Sequence, residues 1–261
     1  MDYTAAGVLL SEEDARIAFI EQRGREIFGR DMAAWLATDS LTATNEDLDA
    51  LGVRGWVTVP LPVDGLTQDE MGVPLYQVSF FSGDEGNYRK VFMVAVMGAQ
   101  VISQAAFFDP VERPELSADE IAAVSARQAA IGSRADLVMC SSSINTVVIP
   151  TDDGHDVYLL GAETEPGRVL MGGHYLVRVG KDGELSTPER FTNSCVTVQK
   201  QENALAIFTT DVLHDTPTEI HVFKALSHDI QIYVSTTANN TTWNVAGDTI
   251  RRMPAKSGGD S

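Results

Sequence analysis

The chain has 261 residues, 44% of them hydrophobic, with 37 acidic against 19 basic side chains and a formal net charge of −18. This composition is that of a globular chain able to bury a core, and the charge argues against nucleic acid and anionic membrane surfaces as partners. The acidity is spread, with 21 acidic and 10 basic residues up to position 135 and 16 and 9 beyond it, so it serves solubility and is not confined to a tail.

In chain order, residues 11–37 read as an amphipathic helix, with Ser11 as N-cap, acids in the first turn, and Ile17, Ile20, Ile27, Phe28 and Trp35 near one face. Gly24 and Gly29 within it mark close packing or a kink. Residues 40–55 are polar and irregular. Extended segments follow at 56–63, where Pro60 and Pro62 demote the strand to an edge, then at 75–82 and 88–97, with Asp84-Glu-Gly-Asn87 as a hairpin turn between the last two. A second helix is predicted over 118–131. Ser117 and Glu120 form its capping box, Leu116 staples onto Ile121, and Gly132 supplies a left-handed stop.

From residue 136 the pattern is strand-rich. Segments 145–150 and 156–160 flank Thr151-Asp-Asp-Gly-His155 as a hairpin, followed by 175–179, a turn at 181–183, 195–199 and 204–209. A third helix is expected over 217–227, with Thr216 as N-cap, Pro217 at the first helical position and Glu219 closing a capping box. Segments 230–236 and 242–245 make a closing hairpin around Asn239-Asn240. The fold class expected is α+β, a largely antiparallel mixed sheet with about three helices. Two regions, 1–133 and 134–254, with a disordered tail at 255–261, compete with a single integrated domain.

No segment approaches the roughly 18 uninterrupted apolar residues of a membrane span. The first ten residues lack the basic and long apolar regions of an intact signal peptide. The chain is therefore expected to be soluble, either cytoplasmic or a mature periplasmic or secreted protein. Cys140 and Cys195 are the only cysteines, and the count leaves one disulfide and two buried thiols both open.

The chemistry-bearing residues gather late. Four of five histidines fall between His174 and His228, and His214 and His221 bracket the start of the third helix beside Asp211, Asp215 and Glu219. Three committed ligands with an open position would suit zinc. His174, His214 and His221, with Asp211 in reserve and Glu163 or Glu219 as general base, are the set that could supply them. Against this stand simpler roles: Glu219 in the cap, His221 as a hydrogen-bonded flank of the helix, and His228 at a helix C-terminus where a cation is favoured. Gly172-Gly173 before a strand reads as a turn or bulge, with an anion nest as the alternative. Asp152-Asp-Gly-His-Asp156 lacks the length and terminal Glu of a calcium loop.

Several phrases carry a resemblance over most of the chain: Gly29-Arg-Asp-Met-Ala-Ala-Trp35, Asn145-Thr-Val-Val-Ile-Pro150, Gly172-Gly-His-Tyr175, Phe191-Thr-Asn-Ser-Cys195, Pro217-Thr-Glu-Ile-His-Val-Phe223 and Thr242-Trp-Asn-Val-Ala-Gly247. They resemble an uncharacterised, mostly alphaproteobacterial protein family of unknown function, whose members often have export signals. The layout at 209–236 is also similar to the zinc site of JAMM-type metallopeptidases, His-x-His followed by Ser-x-x-Asp. Thr209 and Asp211 stand at the histidine positions, Thr218 at the Ser and His221 at the Asp, with the spacing one residue short. That resemblance implies a degenerate JAMM/deaminase-like C-terminal half without the paired histidines.

The function expected is a non-catalytic binding or scaffold protein, its partner a protein or small molecule, with His174, Asp211, His214, Glu219 and His221 lining or bracing a polar pocket and no cofactor. A zinc-dependent hydrolase and a structural, partner-interaction subunit are the alternatives.

Overall fold

The computed structural model describes residues 11–44, 47–61, 72–103, 105–201 and 203–254. Contacts divide the chain into two compact units. One comprises residues up to Glu26, Gly167–Met171 and the chain from Thr197 onward; the other comprises Ile27–Pro166 and Gly172–Val196. The first helix, α1 (Glu12–Thr42), contributes to both.

α1 begins where the sequence says it should. Ser11 Oγ accepts the Asp14 N–H at 3.1 Å, satisfying one of the orphan donors of a helix start. It runs five residues beyond the expected end. Ile20, Gly24, Ile27, Arg30, Ala34, Ala37 and Leu41 are buried at an unbroken spacing of three and four that defines one face, with Gly29 and Ala33 buried beside them. Trp35 falls off this stripe and is 59% exposed, which corrects its placement on the apolar face.

In the larger unit, β1 (Gly55–Pro60), β2 (Leu75–Ser82), β3 (Arg89–Met97) and β4 (Gln100–Val101) form an antiparallel sheet in that order, with β5 (Ala106–Phe107) also on β3. β1 is an edge, as its proline requires. A second sheet has β6 (Ile144–Thr151) beside β7 (Gly154–Gly161), then β9 (Tyr175–Gly180) and β10 (Glu189–Arg190). Helix α2 (Ala118–Gly132) packs against β1, β6, β7 and β9. It buries Ala123, Val124, Ala126 and Ala130 with Phe81, Leu159 and Val177, the small alanines letting strands from both sheets approach. The division expected between residues 133 and 134 thus falls inside this unit. Leu116 joins the same core, but Ile121 is 40% exposed and provides no staple. Gly132 is right-handed helical, and the chain continues as a 3-10 turn over Ser133–Asp136. The residues of α1 that belong here pack Ala33, Ala37 and Leu41 with Val78, Phe80, Phe92 and Val94.

In the smaller unit, β12 (Ala206–Asp211) runs parallel to β13 (Gln231–Thr236), with α3 (Glu219–His228) as the crossover. β14 (Thr241–Ala246) and β15 (Thr249–Arg252) complete the sheet antiparallel. β8 (Arg168–Leu170) pairs separately with β11 (Thr197–Gln199). Trp243 is fully buried and donates to Thr236 Oγ1 at 3.1 Å. The fold class is α+β with three α-helices among the described residues, and every sheet pairing except β12–β13 is antiparallel. The expected disordered tail, like Pro62 and Val63 of the first strand, lies outside the described residues.

Cys140 and Cys195 are joined, with Cα atoms 5.4 Å apart. Gly172-Gly173 makes room for them. Gly173 has φ +76°, and a Cβ there would sit 2.5 Å from the Cys140 sulfur; one on Gly172 would sit 2.3 Å from the Ser194 carbonyl oxygen. The pair is therefore a close-approach device between the bridged loops. The disulfide spans 55 residues, a loop whose closure restricts the unfolded chain by about 2–4 kcal/mol. Cys140→Ser/Cys195→Ser is expected to lower unfolding free energy by about that amount in urea titrations, and reducing agent should have no further effect on the double variant.

Candidate functional site

The sequence singles out the start of α3, and there the structure does bring residues together. Asp211, at the end of β12, is buried and accepts the Leu213 and His214 N–H groups at 2.8 and 3.0 Å, while its second oxygen lies 2.9 Å from His214 Nδ1. Burial alone would raise its pKa, but the His214 hydrogen bond and charge and the Leu213 N–H outweigh it and hold the carboxyl below its usual range. The N-cap is Thr218, two residues later than expected, and the residue that closes the box is His221 and not Glu219. His221 Nδ1 accepts the Thr218 N–H at 3.0 Å, so its proton sits on Nε2. Burial drives the His221 pKa down to about 4, with Asp211 opposing and His214 adding to the shift. His221 is therefore a neutral capping acceptor. Glu219 is buried in the first turn of the same helix.

His174 belongs to the larger unit. It is 1% exposed, and its Nδ1 accepts the Gly161 N–H at 3.2 Å. Glu163 is exposed in the same unit. His228 ends α3, and its carbonyl accepts the Lys200 ammonium at 2.7 Å. His174 belongs to one unit and His214 and His221 to the other, and among the described residues no group of three or more His, Cys, Asp or Glu could hold a metal ion. In His174 and His221 Nδ1 accepts a backbone N–H, which places the proton on Nε2 and leaves neither neutral ring a lone pair for a metal.

A different place has room for a ligand. In the larger unit a cavity of about 750 Å³ lies between edge strand β1, the first turns of α2 and the tip of the β6–β7 hairpin, within the range of small-molecule pockets. Val59, Pro60, Leu61, Ala122, Val148 and Pro150 give it apolar walls. Its polar groups come from separate segments: Arg30 of α1, Gln77 of β2, Asp119 of α2, His155 of β7 and Lys181 after β9. Lys181 is tied to the hairpin tip by its N–H, which donates to the Asp153 carbonyl at 3.0 Å. Arg30 is 3% exposed, donates to the Thr58 carbonyl at 3.0 Å and lies 5.3 Å from the Tyr76 ring centre. Burial, reinforced by the Arg30 charge and opposed by Asp119, pushes the His155 pKa down.

Sequence reasoning gave none of these polar residues a ligand role: Asp119 lies inside the Ser117/Glu120 box, His155 at the hairpin tip and Lys181 in the turn at 181–183, each read as local structure. Arg30 alone leaves a trace: it is the charged position on the otherwise apolar or glycine stripe of α1. Next to the lining residue Asp119 is Glu120, which is fully buried and bonded to two other lining residues, Gln77 and Ser117. It accepts Ser117 N–H at 2.7 Å, Ser79 Oγ at 2.6 Å, Gln77 Nε2 at 2.9 Å and the Lys90 ammonium at 2.9 Å. Burial would raise its pKa, but the hydrogen bonds from Lys90, Ser79 and Ser117 and the Lys90 charge lower it overall.

No protein-family model, no curated protein and no solved structure matches the chain.

Two predictions follow from these buried groups. An imidazole with folded pKa near 4 and an unfolded value near 6.5 contributes fully above about pH 6.5, and its contribution is lost as pH falls from there toward 4, by about 3 kcal/mol in all. His221→Gln keeps an acceptor at the third helical position and is expected to flatten the stability profile over that window, as measured by urea unfolding at each pH. Lys90→Met strands the Glu120 charge and should cost about 3–5 kcal/mol, and adding Glu120→Gln should recover much of the loss in the same assay.

Proposed function

We propose that the protein is a non-catalytic binding protein for a small molecule, and that its site is the β1–α2–hairpin cavity of the larger unit. The observation that carries this reading is the cavity itself, about 750 Å³ with apolar walls and a few convergent polar groups, the usual make-up of a ligand site. The His/Asp cluster at α3 supports a bracing role instead. Its buried imidazole caps a helix and its carboxylate holds a turn and a second imidazole, so those groups are spent on the fold and the zinc-hydrolase alternative gains no support from them. The Cys140–Cys195 disulfide favours an oxidising, extracytoplasmic location over the cytoplasm.

Ala122 is exposed on α2 and lines the cavity. Ala122→Trp is expected to occupy part of the cavity and sharply weaken saturable binding of apolar fluorescent probes such as anilinonaphthalene sulfonate, with thermal unfolding close to that of the wild type. Unchanged probe binding in the variant, or no saturable binding in the wild type, would overturn the reading.

A further inference from the structure

We infer that the smaller unit pairs with a second copy of the chain, β12 against β12, antiparallel about a twofold axis at Phe208. The inference goes beyond the cavity and does not depend on it.

The backbone supplies the first argument. β12 ends its sheet, whose order is β12-β13-β14-β15. The Leu205 and Asp211 carbonyls accept the Gln231 and Thr237 N–H groups, and a parallel ladder uses every second residue of a strand. The N–H and C=O groups of Ala206, Phe208 and Thr210 therefore point away from β13, and no described strand pairs with them.

The second argument is what this edge lacks. Native edges are blunted by proline, by charge or by shortness. Among the described residues the other sheet edges follow that rule. β1 carries Pro60 and β6 carries Pro150, β15 carries Arg251 and Arg252, β4, β5 and β10 have two residues, and β8 and β11 have three. β12 has six residues, and its one charge is Asp211 at the end, buried and bonded within its own turn. Along it Leu205, Phe208 and Val212 are 87%, 72% and 55% exposed. Two chains of charge −18 repel unless they meet where acids do not oppose acids, and residues 204–210 offer such a run.

The register follows from the outward groups. Antiparallel neighbours bond in reciprocal pairs. A twofold axis at Phe208 sets Ala206 opposite Thr210 of the second copy, Phe208 opposite Phe208 and Thr210 opposite Ala206, so all the outward groups of both strands are used. An axis moved by one residue leaves one of the three without a strand residue opposite it. Phe208 also suits the axis as a side chain. Its ring stacks on Tyr233, with centroids 5.0 Å and planes 14° apart, and a second Phe208 across the axis continues that row of rings. Two four-stranded sheets become one continuous sheet, and the contact is isologous and closed.

The test is sedimentation equilibrium on the full chain, disulfide intact, over a concentration series. The wild type is expected to approach twice the chain mass. Phe208→Lys and Phe208→Glu change an exposed side chain, so both should unfold at close to the wild-type temperature. Each should weaken association by at least about tenfold, because each sets like charges directly opposite. Mixed in equal amounts, the two variants should associate again, Lys against Glu. A wild type that stays monomeric up to about 0.5 mM would overturn the inference and leave the edge to an extended segment of another protein. A dimer indifferent to both variants, or a mixture that stays monomeric, would overturn the pairing at Phe208. None of these outcomes alters the probe-binding test of the cavity.

Discussion

A carboxylate sealed from solvent must either be neutral or be ringed by donors, and Glu120 takes the second course with four of them drawn from α2, β2 and β3. Each donor fixes one piece of the larger unit relative to the others. Ser117 N–H locks the first turn of α2, Ser79 and Gln77 lock β2, and Lys90 locks β3. Because the ion pair is buried, its strength lies in completeness: one missing donor leaves charge without compensation. The cavity inherits that rigidity. Asp119 and Ala122 sit on the helical turn that Glu120 anchors, and Gln77 both lines the cavity and donates to the anchor. A cavity whose walls are fixed by such a frame needs little ordering to receive a guest.

The smaller unit solves a similar problem with a neutral group. α3 also starts with a side chain at its third position reaching back to the N-cap N–H, but here it is the imidazole of His221. An imidazole can accept only while unprotonated, so the cap is coupled to proton concentration in a way that a glutamate cap is not. Asp211 and His214 lie close enough to act on that imidazole. What looks like a ligand cluster in one dimension is, in three, a set of acceptors and donors closing the orphan groups of a helix start and a turn.

The parts legible in the sequence were those whose signals are local. The Ser117/Glu120 box, the hairpins at 151–154 and 239–240 and the edge character of β1 each rest on residues within a few positions of one another. The start of α3 slipped by two because Thr216-Pro-Thr218 offers two competing caps, and because the residue closing the box is a histidine where Glu or Gln is the usual signal. Trp35 was misplaced because a helix of 31 residues drifts relative to any short apolar template, and its true stripe includes a glycine and an arginine. The last strand, β15, follows a tight turn at Gly247, φ +57°, and its sequence Thr-Ile-Arg-Arg has only one apolar residue. The cavity was illegible for a different reason: Arg30, Gln77, Asp119, His155 and Lys181 have no common spacing, and only the tertiary fold gathers them.

The ordering of segments within the smaller unit bears on how the chain matures. Glu13 pairs with Arg252 and Glu21 accepts the Ile250 N–H, partners 239 and 229 residues apart. At the usual pace of roughly 5–20 residues per second, the first turns of α1 leave the ribosome on the order of ten seconds or more before the strand that receives them exists. For all that interval they are an amphipathic segment with its native partners unmade, open to chaperones or to a translocase. The smaller unit can close only once β15 has been made, so a chain cut short a few codons before that strand leaves the first turns of α1 without their partners as surely as it leaves the sheet unfinished.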